Sequence, residues 1–365
     1  MIELDGSYLE GGGSIARIAL ALSTITQKPF EITNIRKNRP QPGLKHQHLF
    51  CIKALEKLCN ARVENASLGS TSIKYVPEEI EGKTIDIDIE TAGSITLFLQ
   101  SLLLPSMFAN KTVKFNIIGG TDAKWSPSFD YFNNIFLPQI QKYANIECKL
   151  LRRGYYPKGN GKVEIKIKPK FSIINFNNFD DFLNELRNKV YGINLVEQGH
   201  LIQIKGISHA SLNLQDAQVA ERQAKTAEIS LKNYSCPISI QIEYNDTLST
   251  GSGITLWAIF SKDKDEIDAR NPIRLGSDAL GERGKKAEVV GQEAAKKLTS
   301  EIESRAPVDA YLADQLLKFM ALVSNSRIKT SKITNHTKTN IYTIEKFLGK
   351  TFTIDESNNI ISTIS

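Results

Sequence analysis

The chain has 365 residues, enough for two domains or for one large domain that carries an insertion. Hydrophobic residues make up 41% and charged residues 24% of it, which excludes a disordered or fibrous protein. The formal net charge of +6 is compatible with a polyanionic partner, although many basic proteins bind no nucleic acid.

The first predicted unit along the chain has the element order βαβαββ. It begins with a short strand at residues 2–4 and the glycine-rich turn GSYLEGGG, and a helix is expected at about 14–26. A strand at 30–35, a helix at about 45–59 and two further strands complete it.

The same element order returns twice more, which is the mark of an internal repeat. The second unit has expected elements at residues 85–89, 95–108, 112–118, 131–143, 146–151 and 162–167. The third unit has expected elements at 285–300, 308–323, 341–347, 351–354 and 360–363, with a polar segment before residue 341.

Residues 171–280 do not fit the repeat, but they have strand and helix patterns of their own. We therefore predict an α/β (α+β) fold. A large domain of three βαβαββ repeats would comprise residues 1–170 and 281–365, and residues 171–280 would form a smaller inserted α/β domain.

The cysteines indicate neither a zinc site nor a disulfide framework. They form no C-x-x-C pair and have no histidine at metal-ligand spacing, so we expect reduced and buried thiols. The four positions are Cys51, Cys59, Cys148 and Cys236.

No segment of the sequence is typical of a membrane or secreted protein. The N-terminus lacks the basic and apolar regions of a signal peptide. The longest apolar run, at about 95–104, is interrupted by Gln100 and is too short to span a bilayer. We therefore expect a cytoplasmic protein without a membrane partner.

Two basic or glycine-rich motifs could bind an anion. In LEGGGSIARIAL, glycines after a strand open a helix whose free N–H groups and dipole attract negative charge, with Glu10 in the turn and Arg17 one helical turn later. The alternative is a tight turn with surface charges. In IRKNRPQPGLKHQHL an irregular loop gathers basic side chains suited to phosphate oxygens, unless the loop is merely solvated. These side chains are Arg36, Arg39, Lys45, His46 and His48.

Two further motifs are ambiguous from local sequence. VDAYLADQLLKFMALV predicts an amphipathic helix, in which a solvated face explains Asp314 but explains Gln315 less well. ITNHTKTNIY places His336 among polar residues, and an imidazole in a polar loop usually has no function. His200 and His209 have still weaker indications of a role.

Together these motifs resemble the RNA 3'-terminal phosphate cyclases. The resemblance extends nearly from end to end and follows the family's order, through DGSYLEGGGSIARIALALS, IRKNRPQPGLKHQHL, LGSTSIKYVP, TAGSITLFLQSLLLP, GGTDAKWSPSFDY, RRGYYPKGNGKVEI, YLADQLLKFMAL and NHTKTNIYTIEKFLG. It implies three βαβαββ units with a smaller α/β domain inserted before the third. Enolpyruvyl transferases share the repeat, so the fold alone does not define the function.

The resemblance implies that His336 is a nucleophile that takes AMP from ATP, since the family pattern H-x-x-T-N matches His336, Thr339 and Asn340. An imidazole with its ordinary pKa near 6.5 is mostly neutral at pH 7 and can attack phosphorus. AMP would then pass to an RNA 3'-phosphate, and the adjacent 2'-hydroxyl would displace it to form a 2',3'-cyclic phosphate.

The resemblance also implies binding roles. ATP contacts fall on Gln100 and on the Y-L-A-D-Q segment, which comprises Tyr311, Leu312, Ala313, Asp314 and Gln315. Positions that line the active site match Arg17, Arg36, Arg39, Gln47 and His48. Glu10 matches the acidic residue near the metal and the triphosphate, so a Mg²⁺ or Mn²⁺ ion is expected beside it.

The implied partners are ATP and an RNA with a 3'-phosphate end. Whether the protein forms a homodimer is left open. One departure from the family pattern is bulky Leu9, before Glu10, where a small residue is usual. Lysines and arginines at 124, 152, 153, 158 and 162 could carry RNA backbone, or they could be scattered surface charges.

Three alternatives to the cyclase hypothesis are open. One is a non-catalytic relative that assists ribosome assembly, which would lack the nucleophilic histidine. A second is an enolpyruvyl transferase, which would need more repeats than this chain holds. A third is an enzyme that adenylylates RNA or DNA ends without cyclising them, because the first chemical step is common to both reactions.

Overall fold

The computed structural model describes residues 1–263 and 268–364, which form an α/β fold with four four-stranded sheets. The predicted fold class is thereby confirmed. The first part of the chain comprises β1 (Ile2–Asp5), α1 (Ser14–Thr26), β2 (Phe30–Thr33), α2 (His46–Cys59), β3 (Arg62–Glu64) and β4 (Ile73–Val76). Its sheet has the order β1-β2-β4-β3, with β1 parallel to β2 and the other pairs antiparallel.

The next part of the chain repeats this arrangement. It comprises β5 (Thr84–Asp88), α3 (Ile95–Ser106), β6 (Val113–Gly119), α4 (Phe129–Tyr131), α5 (Leu137–Ile140), β7 (Ala144–Arg152) and β8 (Gly161–Pro169). The sheet order β5-β6-β8-β7 and the sense of each pairing match those of the first sheet.

One predicted helix of this second part, at 131–143, is interrupted. A π-helical turn at Phe132–Phe136 separates α4 from α5. Pro138 follows it and has no N–H to donate to the carbonyl of Asn134, four residues earlier. That carbonyl instead accepts a hydrogen bond from Arg274 at 2.5 Å.

The C-terminal sheet has the same order again, but its first strand comes from far upstream. This part comprises α6 (Phe179–Lys189), β9 (Asn194–Leu195), α9 (Ala310–Met320), β14 (Arg327–Lys329), α10 (Asn335–Leu348), β15 (Phe352–Asp355) and β16 (Ile360–Thr363). In the order β9-β14-β16-β15, β9 is parallel to β14 and the remaining pairs are antiparallel.

The fourth sheet lies in the chain between β9 and α9. Its elements are β10 (His200–Ser211), α7 (Val219–Leu231), β11 (Ile238–Asn245), β12 (Ser252–Ser261), β13 (Ile273–Leu280) and α8 (Ala287–Glu303). The order is β11-β10-β12-β13, and every residue of β12 is buried, because α7 and α8 pack against it and α4 contacts it as well. The predicted division at 171 and 280 stays a prediction, although the pairing of β9 with β14 favours an insertion that begins after Leu195.

Helix α1 is the most deeply buried helix near the candidate site. All of its residues are buried, and it packs against α2, α3 and α10. Its sequence, SIARIALALSTIT, carries small alanines and serines between the large apolar residues, which lets neighbouring helices approach from several sides. Its bounds confirm the predicted helix at 14–26, and its one charged residue, Arg17, lies near its N-terminal end.

The polar residues around His336 suggested a loop, but the segment is helical. It forms the first turn of α10, which begins six residues before the predicted helix at 341. Thr334 is the N-cap: its hydroxyl accepts a hydrogen bond from the Thr337 N–H at 3.1 Å, and its own N–H donates to the Thr337 hydroxyl at 3.3 Å. Thr334 and Thr337 are therefore helix-capping residues.

The cysteine expectation is confirmed in part. In the described part of the chain all four cysteines are free thiols, of which Cys51 and Cys59 are buried while Cys148 and Cys236 are partly exposed. Among residues 1–263 and 268–364, no helix combines the length and apolar character that a membrane span requires.

Asp309 joins three parts of the fold through one buried carboxylate. As the N-cap of α9 it accepts hydrogen bonds from the N–H groups of Tyr311 and Leu312, at 3.0 and 2.9 Å. It also accepts from the Tyr131 hydroxyl at 2.6 Å and from the N–H of Gly276 on β13 at 3.0 Å. The carboxylate therefore holds α4, β13 and α9 together.

We expect Asp309→Ala to lower the free energy of unfolding by about 2–4 kcal/mol, because it removes a helix cap and leaves buried donors unsatisfied. The matched control, Asp309→Asn, keeps one acceptor oxygen and should lose less. Chemical denaturation of the three proteins measures this, and a loss below about 0.5 kcal/mol for Asp309→Ala would contradict the assigned role.

Candidate active site

A cavity of about 570 Å³ lies at the N-terminal end of α1. Its walls come from α1, α3, α9, α10, the loop at residues 123–128, the end of β13 and α8. The sequence-predicted residues that it brings together are Arg17, Gln100, Tyr311, Asp314, Gln315 and His336. A cavity of this size is typical of small-ligand sites.

The glycine-rich turn before α1 is held tightly against the basic loop of the second motif. A Cβ atom on Gly13 would lie 2.2 Å from His48 Nε2, and one on Gly11 would lie 2.8 Å from Asn38 Nδ2. Gly11 also has a φ of +53°, a conformation that favours glycine. Only glycine fits at these two positions, because the turn lies so close to the basic loop. This close packing brings Glu10 and the start of α1 next to His48.

Glu10 and His336 meet across this turn. The Glu10 Oε2 atom lies 2.9 Å from His336 Nε2 and 3.5 Å from a terminal nitrogen of Arg39. The imidazole is 45% exposed, so a ligand in the cavity can reach it. Burial lowers the pKa of His336; Glu10 opposes this shift, and Arg17 and Arg39 add to it. The imidazole is therefore neutral at pH 7.

Unsatisfied donors surround the start of α1. Ser14 Oγ and His48 Nε2 are buried and find no hydrogen-bond partner among the described residues. His48 Nδ1 accepts a hydrogen bond from the Lys45 N–H at 3.0 Å, so the proton of the neutral ring lies on Nε2. Burial, followed by Arg17, sets the pKa of His48 well below its usual range, which keeps the ring neutral.

Arg17 adds a charge to these donors. Its Nε donates to Gln100 Oε1 at 3.0 Å, and in residues 1–263 and 268–364 no carboxylate forms an ion pair with it. A helix N-terminus, a hydroxyl, an imidazole N–H and an unpaired guanidinium together suit an anion such as a phosphate group.

The other predicted residues of the basic loop do not line the cavity. The Arg36 guanidinium donates to the carbonyls of Gln41 and Gly43, at 2.8 and 3.2 Å, and so holds the loop itself. Gln47 is half-buried near Gly93, in the turn before α3. The roles that the family resemblance implies for Arg36 and Gln47 stay predictions.

The Y-L-A-D-Q segment is divided between core and cavity. Leu312 and Ala313 are completely buried in the core, so their implied ATP contacts stay predictions. Tyr311 is 63% exposed at the cavity. Gln315 is buried there and donates to the Tyr311 carbonyl at 3.1 Å.

The interpretation of Asp314 as part of a solvated face was wrong. It is half-buried against the cavity, and burial raises the pKa of its carboxyl to about 7, although Lys318 opposes the shift. Asn340 of α10 donates to the Asp314 carbonyl at 3.1 Å and thereby connects α10 to α9.

Sequence reasoning missed Lys318. This lysine is 3% exposed, lines the cavity and donates from Nζ to the carbonyl of Gln100 at 2.8 Å. Burial and then Arg17 lower the pKa of its ammonium group to about 7, against the opposing effect of Asp314. A lysine within the apolar run LLKFMAL, four residues after Asp314, is the signal that could have identified it.

A buried ionic cluster beneath the loop at 123–128 was also missed. Arg153 Nη atoms lie 3.3 Å from Asp122, 2.8 Å from Asp130 and 2.8 Å from Glu243 of β11. His209 of β10 lies 3.4 Å from Asp122. Arg153 is 1% exposed, so it is not a surface contact for RNA.

This cluster includes the group of three metal-capable side chains found among the described residues: Asp122, Asp130 and His209. Because the Arg153 guanidinium already pairs with Asp122 and Asp130, we assign no metal ion to this cluster. The cluster instead connects the second sheet to the fourth.

The fold and the cavity are those of an α/β enzyme whose pocket suits an anion and contains an imidazole. A family model described as RNA 3'-terminal phosphate cyclase matches residues 8–354. The RNA 3'-terminal phosphate cyclase of Pyrococcus furiosus is 46% identical over 355 residues, which cover 97% of this chain and 95% of that protein. That of Archaeoglobus fulgidus is 43% identical over 363 residues and 99% of both chains. This chain belongs to the RNA 3'-terminal phosphate cyclase family, as its motifs predicted.

We expect the pKa of His336 to lie below the ordinary value of about 6.5. Glu10→Gln should lower it further, because it removes the carboxylate that favours the charged imidazole. Arg39→Gln should raise it, because it removes a nearby cation. Proton titration of ¹³C-histidine-labelled protein by NMR measures both shifts, and an increase in Glu10→Gln would contradict the assigned contact.

Proposed function

We propose that this protein is an ATP-dependent RNA 3'-terminal phosphate cyclase in which His336 carries AMP as a covalent intermediate. The observation that carries the proposal is the accessible imidazole of His336, 2.9 Å from Glu10, at a cavity beside buried donors that have no partner among the described residues. Membership of the family supports the RNA 3'-phosphate as the substrate end.

ATP binds with its triphosphate at the start of α1. Ser14 and the Nε2–H of His48 donate to phosphate oxygens there, which satisfies two groups that otherwise have no partner among the described residues. The Arg17 guanidinium, whose Nε is held by Gln100, adds its positive charge. Tyr311, Gln315 and Gln100 lie along the same cavity, and this location supports the nucleotide contacts that the family resemblance implies for them.

The Glu10 carboxylate fits a divalent cation, because Mg²⁺ is typically held by one or two carboxylates together with substrate phosphates. Mg²⁺ or Mn²⁺ would supply charge neutralisation of the triphosphate. Glu10 also lies next to His336 Nε2, so its carboxylate can accept a hydrogen bond or a proton from the ring.

In the first step the imidazole lone pair attacks the α-phosphorus of ATP. A nitrogen–phosphorus bond forms, the bond to the bridging oxygen breaks, and pyrophosphate leaves. The lowered pKa of His336 keeps the lone pair available at pH 7. Arg39, 3.5 Å from Glu10, and Arg17, which lines the cavity, attract the negative charge that develops on the phosphates.

In the second step an oxygen of the RNA 3'-phosphate attacks the phosphorus bound to His336, and the nitrogen–phosphorus bond breaks. The RNA end then carries AMP through a phosphoanhydride. In the third step the neighbouring 2'-hydroxyl attacks the terminal phosphorus, loses its proton and releases AMP, which is a far better leaving group than oxide. The product is a 2',3'-cyclic phosphate, and proximity of the hydroxyl accelerates its formation.

The cytoplasmic location and the open question of a homodimer stay predictions. The non-catalytic alternative is disfavoured because His336 and Glu10 are in contact at an accessible cavity. The alternative that ends are adenylylated without cyclisation is separated from the proposal by the product.

We expect the protein, given ATP labelled on its α-phosphate with Mg²⁺ or Mn²⁺, to become labelled in the absence of RNA. An oligonucleotide with a 3'-phosphate should then gain a terminal cyclic phosphate that resists phosphatase. His336→Ala should lose both activities by about a thousandfold or more, because nothing replaces the nucleophile. His200→Ala is the matched control, since His200 is an exposed histidine on β10, and it should behave as wild type.

Two results would contradict the proposal. Labelling of His336→Ala at the wild-type level would exclude His336 as the nucleophile. RNA that accumulates as the adenylylated form, with no cyclic phosphate, would exclude cyclisation and favour the adenylylating alternative.

A further inference from the structure

Trp125 is an exposed tryptophan at the candidate site that nothing in the mechanism uses. Its relative exposure is 95%, whereas the other tryptophan of the chain, Trp257, is 6% exposed. In the described part of the chain no hydrogen bond, ring contact or cation–π contact involves the Trp125 side chain. Full exposure of an indole forgoes its large hydrophobic stabilisation.

The backbone of Trp125 is also strained. Its φ is +61°, in the left-handed region, where a bulky residue is a genuine outlier. Strained residues persist only where the surrounding structure determines them, and they occur preferentially at functional sites. Trp125 thus combines an exposed aromatic ring with an unfavourable backbone conformation.

The loop that carries Trp125 is firmly held on both sides. Arg153 pairs with Asp122 before the loop and with Asp130 after it. The Thr96 hydroxyl donates to the carbonyl of Pro127 at 2.7 Å, and the Ser128 N–H donates to Asp278 at 3.0 Å. The buried ionic cluster and these hydrogen bonds thus anchor the loop backbone on both sides of Trp125.

The position of the loop connects Trp125 to the chemistry. Trp125 lines the same cavity as His336 and Arg17, so the indole is accessible to a substrate that occupies this cavity. The neighbouring Lys124 pairs with Glu282 at 3.0 Å, but both side chains are about half exposed. Such a pair is weak, so a backbone phosphate can compete for the lysine.

We propose that Trp125 is the stacking platform for the 3'-terminal base of the RNA substrate. The proposal rests on the proposed function, and it adds the element that orients the RNA end. Single-stranded RNA is commonly held by bases stacked on aromatic side chains beside cations. Stacking accepts every base, because each has a π face, so Trp125 would secure the end with little sequence preference.

The rigid loop makes this contact efficient. Because the loop backbone is already held, stacking of a base immobilises only the two side-chain torsions of the tryptophan, which costs little conformational entropy. The 3'-phosphate next to the stacked base would then lie within the cavity, where the adenylylated histidine is formed.

Trp125→Ala separates this proposal from the proposed function, because labelling by ATP needs no RNA. We expect its labelling rate with ATP alone to stay within about twofold of wild type. The KM for a 3'-phosphate oligonucleotide should rise about 10- to 100-fold. Trp125→Phe keeps a stacking ring and should restore the KM to within about threefold. Tyr191→Ala, which removes an exposed aromatic ring outside the cavity lining, is the control and should leave the KM unchanged.

An oligonucleotide whose 3'-terminal nucleotide lacks its base tests the contact itself. With wild type this substrate should show the raised KM, and Trp125→Ala should then cause no additional increase. Fluorescence gives a direct reading, because Trp257 is buried and the exposed emission comes from Trp125. A 3'-hydroxyl oligonucleotide should quench that emission, and the same oligonucleotide without the terminal base should not.

Each contrary result has a distinct meaning. Normal labelling with an unchanged KM in Trp125→Ala would overturn the stacking role and leave the proposed function intact. Loss of labelling by ATP in Trp125→Ala, restored in Trp125→Phe, would show that the indole contacts the nucleotide, and it would also overturn the role. Absence of labelling and cyclisation in the wild type would overturn the proposed function and this inference together.

Discussion

The structure around the cavity depends on the burial of helix α1. Because α1 is buried along its whole length, it can only exist with α2, α3 and α10 packed around it. That packing brings together residues that are far apart in the chain: Glu10 at its start, Gln100 on α3 and His336 on α10. The small residues of α1 permit this approach, and its N-terminus supplies the anion-binding end.

The second consequence of this burial is electrostatic. Arg17 and Lys318 are cations in a poorly solvated cavity, and the lysine loses basicity as a result. Asp314 is the nearby acid, but its own raised pKa near 7 means that it neutralises the cations only in part. The donors at Ser14 and His48 have no partner among the described residues. An anionic ligand would satisfy these groups together, which is why a triphosphate suits the cavity.

Much of the local structure could be predicted from the sequence, where periodicity and capping signals are strong. Helix α1 has the predicted bounds, and the strand at 360–363 was also placed correctly. The start of α10 was missed because its capping residues resemble a polar loop. The pairing of β9 with β14 could not be foreseen, because a two-residue strand has almost no signal of its own and its partner lies more than a hundred residues later.

The candidate site was predictable in a different way. Local sequence gave His336 no special status, and only the resemblance to a family identified it. Residues whose roles depend on tertiary placement were overlooked. Lys318 is part of the amphipathic helix pattern, and Arg153 resembles a surface cation until burial is known. Trp125 carries no distinguishing signal until its exposure and its backbone angle are observed.

In the proposed mechanism His336 takes AMP from ATP, and Lys318 is the other side chain of the cavity that could do so. Lys318 lines the same cavity, and with a pKa of about 7 its amine is partly neutral and could itself attack phosphorus. Peptide mapping by mass spectrometry separates the two after reaction with ATP, provided that digestion avoids acid. We predict that AMP resides on the tryptic peptide of residues 333–338, which contains His336. AMP on a peptide that contains Lys318, with residues 333–338 unmodified, would exclude His336 as the nucleophile.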